Sequence, residues 1–447
     1  MKVTQYSTNS YGEFFKSDIS PAVFMEGAKT VTAVKDSENT SHLGLGVAIT
    51  GSSCYNLSLM EKTQRTELLK ALYGSEGLGL SIARLSVGSS DYSAELYTYD
   101  DVEGDVSLEH FSVERDERYI IPIIKEILSI NPDLKLFASP WSPPAWMKTG
   151  GSVCGGYMRE EYIDCYADYI VKFILAYKER GISLYALTPQ NETETHQQGR
   201  MPACIWHPDI EARYIIALKK KLLAAGLDTK IWMFDHNFDG VRRVDWTLEQ
   251  YPQLRSDCDG IAFHYYSGSV EQTEYLKVKY PELSLHFTEG GPRLYDNYAT
   301  DWCKWGIMIS KTLGCGYSSF TGWNLMLDEM GGPNVGPFFC GGLITRRRDD
   351  GELSYSGQYK ALRHISPFIK PSSVIYRAEF SADGSSMFSF PKTAQPLTGA
   401  IIENKDSTAL VLVNANTEKA QLQYFAHGSW WYIELLPDTL ATVIFEE

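Results

Sequence analysis

No stretch of this 447-residue chain approaches the roughly 20 consecutive apolar residues that a membrane-spanning helix requires. The N-terminus, Met1-Lys2-Val3-Thr4-Gln5-Tyr6-Ser7-Thr8, lacks the apolar core of a secretory signal, so a cytoplasmic location is expected. A secreted protein trimmed and restarted at a methionine would read the same. Cations are also short: 41 Lys and Arg face 56 Asp and Glu, a formal charge of −15. That sign is wrong for tracking phosphate backbones or anionic lipid surfaces, and no nucleic-acid partner is expected. The eight cysteines are scattered without a Cys-x-x-Cys pair or zinc-ligand spacing, which excludes a dense disulfide framework and points to no structural metal. Gly150-Gly151 and Gly331-Gly332 lack the lysine of a phosphate loop and read as turns, so no cofactor is indicated. Internal repeats and low-complexity linkers are absent as well.

What is present is a globular composition with an aromatic excess. Hydrophobic residues make up 44% and charged residues 22%, near the average for a folded domain. Aromatics reach 13%, with 28 Tyr and 10 Trp, more than a core needs, and suggest flat platforms at a binding surface. From about Gly44 to Asn324, short β-rich runs alternate with longer helical patterns. Eight strand candidates follow: Gly44–Thr50, Gly79–Leu85, Leu134–Ser139, Leu184–Thr188, Lys230–Phe234, Gly260–His264, Leu283–Thr288 and Gly316–Gly322. Most are apolar on both faces, as strands covered by helices must be. Helical periodicity fills Leu59–Tyr73, Asp116–Ile130, Glu160–Arg180 and Ile210–Ala225. Eight such units predict an α/β fold, a (β/α)8 TIM barrel, over residues 40–360. After Tyr355, period-two runs (Ser373–Phe380, Met387–Pro391, Leu397–Glu403, Ala409–Asn414, Ala420–Phe425, Ser429–Leu436 and Thr439–Phe445) predict an antiparallel β-sandwich side domain from residues 1–39 plus 361–447.

Barrels place their reacting groups where strands end at the C-terminal face. Strand two leads into Ser89-Ser90-Asp91-Tyr92, strand three into Pro140-Trp141-Ser142, and strand four into Gln190-Asn191-Glu192. Strand five runs into Asp235-His236-Asn237, strand six into His264-Tyr265-Tyr266, strand seven into Glu289-Gly290, and strand eight into Trp323-Asn324. Glu192 and Glu289 stand at the ends of strands four and seven, on opposing sides of an eight-strand ring. Two carboxyl groups meeting in a pocket of Trp and Tyr suit glycosidic bond cleavage, one as a protonated acid and the other as an ionised nucleophile or base. Glu192 is expected to be the acid, kept protonated partly by the charge of Glu289, while Arg84 or Tyr266 would hold Glu289 ionised. Asn191 suits a sugar 2-hydroxyl, Asp91 suits equatorial hydroxyls, and Trp141, Trp146 and Trp323 offer apolar faces to a sugar ring. Trp146 and Trp305 read better as core than as pocket residues. A zinc site from His236, His264 and Asp235 is conceivable, but the spacing matches no dedicated metal motif.

These residues resemble a known family. The segment Tyr73-Gly74-Ser75-Glu76-Gly77 through Arg84 to Asp91-Tyr92-Ser93, the run Ser139-Pro140-Trp141-Ser142-Pro143-Pro144-Ala145-Trp146-Met147-Lys148, and Gln190-Asn191-Glu192 carry the likeness. So do Asp235-His236-Asn237, Phe263-His264-Tyr265-Tyr266, Thr288-Glu289-Gly290, Gly322-Trp323-Asn324 and Gly331-Gly332-Pro333-Asn334. Together they resemble glycoside hydrolase family 30, the family of glucosylceramidases, β-1,6-glucanases and β-glucosidases, over about residues 40–370. The resemblance implies a retaining mechanism with Glu192 as acid/base and Glu289 as nucleophile. It further implies Arg84, Asp91, Trp141, Asn191, His264, Tyr266 and Trp323 as pocket residues, and no cofactor or metal.

Three positions depart from the family pattern. Gly44-Leu45-Gly46-Val47 replaces a Gly-Phe-Gly-Gly entry, and Ser90 stands where glucosylceramidase-like members often carry Cys. Thr193 follows the Asn-Glu pair where many members have Pro, which leaves Glu194 as a rival acid. The expected function is a retaining β-glycosidase acting on β-linked glucosides or related small glycosides. The alternatives are an endo-acting β-1,6-glucanase, a glucosylceramidase, and a carbohydrate-binding protein on an inactive hydrolase barrel.

Overall fold

The computed structural model describes residues 2–381 and 397–446. It divides into two compact units, Met1–Gly44 with Asp296–Ser318 and Tyr355–Glu447, and Leu45–Tyr295 with Ser319–Ser354. Eight parallel strands close into a barrel: β1 (Gly44–Ala48), β2 (Ile82–Val87), β3 (Lys135–Pro140), β4 (Ala186–Leu187), β5 (Lys230–Asn237), β6 (Gly260–His264), β7 (Ser284–Glu289) and β8 (Tyr317–Gly322). Each falls on a run that the alternating pattern predicts. Their side chains are buried on both faces, as with Leu136-Phe137-Ala138 and Ile261-Ala262-Phe263, because helices cover the outside and side chains fill the inside. Crossover helices Lys62–Tyr73, Ile120–Ile130, Ile163–Glu179 and Pro208–Ala224 match the four helical patterns. The second of them buries Ile121, Ile124 and Ile127 at helical spacing, and the fourth opens with proline in its first turn.

One irregularity positions chemistry. Along the β5 and β6 pairing, Ala262 aligns with Phe234 but Phe263 aligns with His236, so Asp235 is an extra residue in the ladder. Phe234 and Asp235 both adopt left-handed backbone conformations there, with φ of 78° and 58°. Bulges of this kind re-aim a side chain at a barrel rim, and this one turns the Asp235 carboxylate into the barrel axis.

The first unit is built on one ten-stranded sheet, antiparallel except where Ala420–Ala426 runs parallel to Lys29–Asn39. The sheet curls over itself. Val3, Ile401, Leu410, Leu422, Trp431, Val443 and Phe445, from strands far apart in sheet order, share one core, and Trp431 meets Phe445 edge-on with ring centroids 5.7 Å apart. The expected sandwich is thus a single folded sheet of mixed direction. The expected strand Met387–Pro391 lies outside the described residues. No helix among the described residues is long and apolar enough to cross a membrane.

β1 and β2 approach closely at Gly46, where an added Cβ would lie 1.6 Å from the Ile82 carbonyl oxygen. Gly46→Ala must therefore pry β1 from β2, at more than about 3 kcal/mol. Urea denaturation should show a large fall in midpoint or no folded protein at all; an unchanged midpoint would refute the strand register.

Candidate active site

The floor of the barrel mouth is a buried charge network. Arg84 projects from β2 with no solvent exposure. Its Nε donates to Ser139 Oγ at 3.0 Å, its Nη2 to Asn191 Oδ1 and Asp235 Oδ2 at 2.8 Å each, and its Nη1 to the Glu289 carboxylate. Asp235 also accepts from Thr188 Oγ1 at 2.6 Å, Ser139 Oγ at 2.9 Å, Thr288 Oγ1 at 2.6 Å and His264 Nε2 at 3.0 Å. Burial alone would raise the Asp235 carboxyl, but the Arg84 charge and then His264 hold it far below the usual carboxylate range.

Above this floor lies a cavity of about 370 Å³, within the size range of small-molecule sites. Asp91, Trp141, Asn191, Glu192, Tyr266, Glu289 and Trp323 all line it, so seven of the expected site residues converge. Arg84 and His264, expected as pocket residues, are instead fully buried and do not line it; they touch the carboxylates rather than the open space. Trp141 and Trp323 stack with centroids 5.2 Å apart, and the Arg84 guanidinium lies 4.7 Å from the Trp141 ring centroid. Asn191 spends its amide oxygen on Arg84, which leaves the NH2 group to meet a ligand. Trp146 is core, with its Nε1 donating to the Asp100 carbonyl, and Trp305 is core as well.

The two glutamates differ in their surroundings. Glu289 receives Arg84 and the Tyr266 hydroxyl, the latter at 2.9 Å, as the sequence reading expects. Glu192 has a left-handed backbone, φ 53°, fixed by its N–H donating to the Asp235 carbonyl at 2.9 Å. The expectation that Glu192 stays protonated in the free protein is corrected here. Burial pushes its carboxyl up, but His264, His236 and a hydrogen bond from Gln197 outweigh burial and hold it below the ordinary value. His264 moves the opposite way: burial lowers it, and the charge of Glu289 with the bond to Asp235 raises it to about 9. Asp91 is pushed well above the usual range by burial and then by the charges of Glu289 and Glu192, and its Oδ1 is buried without a hydrogen bond.

One oxygen of Glu192, one of Glu289 and a nitrogen of His264 lie within 4.8 Å of one another, a spacing that could in principle hold a cation. His264 at about 9 carries a proton at neutral pH, and Glu289 is already bonded to Arg84, so the trio is better suited to a charge-balanced proton network. Glu194, the rival acid, is outside the cavity lining, because the turn at Glu192 breaks the alternation that would have aimed both side chains alike. Sequence reasoning missed Gln197, Arg293, Tyr295, Phe338, Phe339 and Cys340, which reach the cavity from loops. No periodic signal marks residues of this kind. Asp235 was visible as part of a motif, but its role as the network's hub was not.

A closed parallel barrel carrying two opposed carboxylates in an aromatic pocket is the architecture of a glycoside hydrolase. The glycosyl hydrolase family 30 TIM-barrel domain matches residues 43–369, and the chain belongs to that family, whose members are retaining O-glycosyl hydrolases. It is 28% identical to an endo-1,6-β-D-glucanase of Neurospora crassa, over 87% of this chain and 83% of that protein. It is 27% identical to the lysosomal acid glucosylceramidase of Mus musculus, over 85% of this chain and 76% of that protein. The solved structure of an endo-β1,6-glucanase superposes with a TM-score of 0.86 at 28% identity, covering 100% of both chains.

His264 makes the stability of this network depend on pH. Its folded-state value lies above the ordinary 6.5, so protonation favours the folded protein: the gain is complete below about pH 6.5 and disappears as pH rises through about 9. Unfolding free energy from urea titrations should fall by about 3 kcal/mol across that window in the wild type. His264→Gln should flatten the fall, and an equal slope in both proteins would remove His264 as the cause.

Proposed function

We propose that this protein is a retaining β-glycosidase that removes a single β-linked glucose, or a close relative of it, from small glycosides, with Glu289 as nucleophile and Glu192 as acid/base. The observation that carries the reading is the approach of one Glu192 oxygen and one Glu289 oxygen to within 4.8 Å. Retaining pairs stand roughly 5 to 5.5 Å apart, whereas inverting pairs need about 6.5 to 9.5 Å to admit a water molecule. Arg84 Nη1 and the Tyr266 hydroxyl each donate to the Glu289 carboxylate, which fixes its orientation for attack. In the first step a Glu289 oxygen bonds to the anomeric carbon as the glycosidic bond breaks, and the leaving oxygen takes a proton from Glu192. A bound sugar expels water from Glu192, and this added desolvation favours the protonated carboxyl over the ionised form of the free protein. In the second step water attacks the same carbon, gives its proton to Glu192, and releases Glu289.

Action on one sugar unit is supported by the loop after β8. Val335 N–H donates to the Asp91 carbonyl at 2.8 Å, the Tyr92 hydroxyl to the Phe338 carbonyl at 3.1 Å, and Cys340 N–H to the Tyr92 hydroxyl at 2.9 Å. Gly336 sits so close that an added Cβ would come within 2.7 Å of Asp91 Cβ. The loop therefore closes the pocket over Asp91, the group suited to the hydroxyls of a terminal sugar. The glucose preference draws on the relatives, which are named for a 1,6-β-D-glucan and for a glucosyl ceramide.

Glu289→Gln should abolish turnover, while Glu192→Gln should slow alkyl glucosides by about 100-fold or more and dinitrophenyl glucosides far less. Proton NMR of the first product should show the β-anomer, and linear β-1,6-glucan should yield glucose without intermediate oligosaccharides. An α-anomer would sink retention, and early oligosaccharides would establish endo action instead.

A further inference from the structure

Beside the acid/base stand two groups that the two-step scheme leaves without a part, His236 and Glu194. The His236 ring ends β5, buried between two carboxylates: Nε2 faces Glu192 Oε1 at 3.9 Å and Nδ1 faces Glu194 Oε2 at 3.5 Å. Nδ1 is enclosed and makes no hydrogen bond. Glu194 has the opposite character, with a side chain 38% exposed and no share in the cavity wall. The backbone locks the arrangement, since Glu192 N–H and Thr193 Oγ1 donate to the carbonyls of Asp235 and Phe234 respectively, so loop and strand end hold together. The other charged groups nearby are Arg243, which acts on Glu194, and His264, whose ring meets that of His236 edge-on with centroids 6.2 Å apart.

We infer that Glu194 and His236, whose ring also lines the sugar pocket, form a proton relay that links Glu192 to bulk water through Glu194, outside the cavity wall. The inference rests on Glu192 being the acid/base. Free Glu192 gives up its proton between turnovers, for the reasons given above, and a sugar in the cavity covers it before the leaving group needs that proton. His264 is no source, because it is fully buried and its far nitrogen is tied to Asp235, which is buried too. Imidazole alone among side chains can accept a proton at one nitrogen and release one from the other. A water or buffer acid protonates the Glu194 carboxylate, which passes the proton to His236 Nδ1. The ring releases its Nε2 proton to Glu192 Oε1 and is left as the Nδ1–H tautomer. After the second step, the proton that Glu192 took from water returns to Nε2, the Nδ1 proton leaves through Glu194, and the cycle closes with every proton accounted for. Distances of 3.5 and 3.9 Å in the free protein are those of catalytic contacts that tighten when substrate binds. His236 and Glu194 are positioning residues in this scheme: they pass protons to and from Glu192, and neither forms nor breaks a bond to the sugar.

The test is leaving-group dependence in Glu194→Gln, a near-isosteric change at an exposed site, and in His236→Gln. Each should lower kcat on an alkyl β-glucoside by about tenfold and on a dinitrophenyl β-glucoside, which needs no acid, by less than about threefold. The double variant should be no slower than the slower single one, because both changes cut one path. Raising the concentration of imidazole buffer should restore part of the alkyl glucoside rate in Glu194→Gln. Equal losses on both substrates, or losses that multiply in the double variant, would overturn the relay. If Glu192→Gln keeps its leaving-group dependence while Glu194→Gln and His236→Gln show none, the relay alone falls. Loss of that dependence in Glu192→Gln would remove the acid/base assignment itself.

Discussion

The contact between the Arg84 guanidinium and the Asp235 carboxylate is the constraint on which the rest of this structure depends. Both groups are fully buried, and an unpaired charge in such a place costs several kcal/mol. Their pairing is reinforced by hydroxyls and an imidazole drawn from β3, β6, β7 and the end of β4, so one small cluster ties most of the barrel's rim together. The same cluster orients the chemistry. Glu289 and Asn191 each take a donor from Arg84, and Glu192 takes its backbone geometry from the carbonyl of Asp235. Stability and function are therefore not separable at this point, because the side chains that satisfy buried charge are the ones that aim the carboxylates.

From that floor upward, the electrostatics become asymmetric. Glu289 is committed to two donors, Arg84 and the Tyr266 hydroxyl, whereas Glu192 sits among His264, His236 and Gln197 in an environment where burial and charge pull in opposite directions. A carboxyl in such a balance changes its protonation when a neutral ligand displaces water, which is the behaviour that acid and then base catalysis by one group demands. Asp91 completes the pattern as a buried carboxyl with an unfilled acceptor, opposite aromatic walls that would meet the apolar faces of a sugar.

Much of this was legible before any coordinates. The eight strands follow from apolar runs alternating with helical periodicity, since strands buried on both faces need no polar alternation and crossover helices show theirs. The convergence of Glu192 and Glu289 follows from their places at the C-terminal ends of strands four and seven, because side chains at those ends of a closed eight-strand ring meet at one mouth. Less legible were features without period. The Asp235 bulge inserts one residue into a ladder, and pattern reading assumes that ladders are regular. The loop residues Gln197, Arg293, Tyr295, Phe338 and Phe339 reach the cavity through turns whose paths are set by contacts distant in sequence. Arg84 and His264 lie fully buried beneath the cavity, in contact with its carboxylates, and a position in the chain does not say whether a side chain reaches the open cavity or stops beneath it.

The amino-acid sequence by itself determined the barrel, the order of its strands and the two carboxylates that face across it, because periodicity and chain order are local quantities. Tertiary structure alone decided the surroundings of those carboxylates. Burial opposes the charges of His264 and His236 and the hydrogen bond from Gln197 at Glu192, and the balance depends on distances of a few ångströms that no linear pattern encodes.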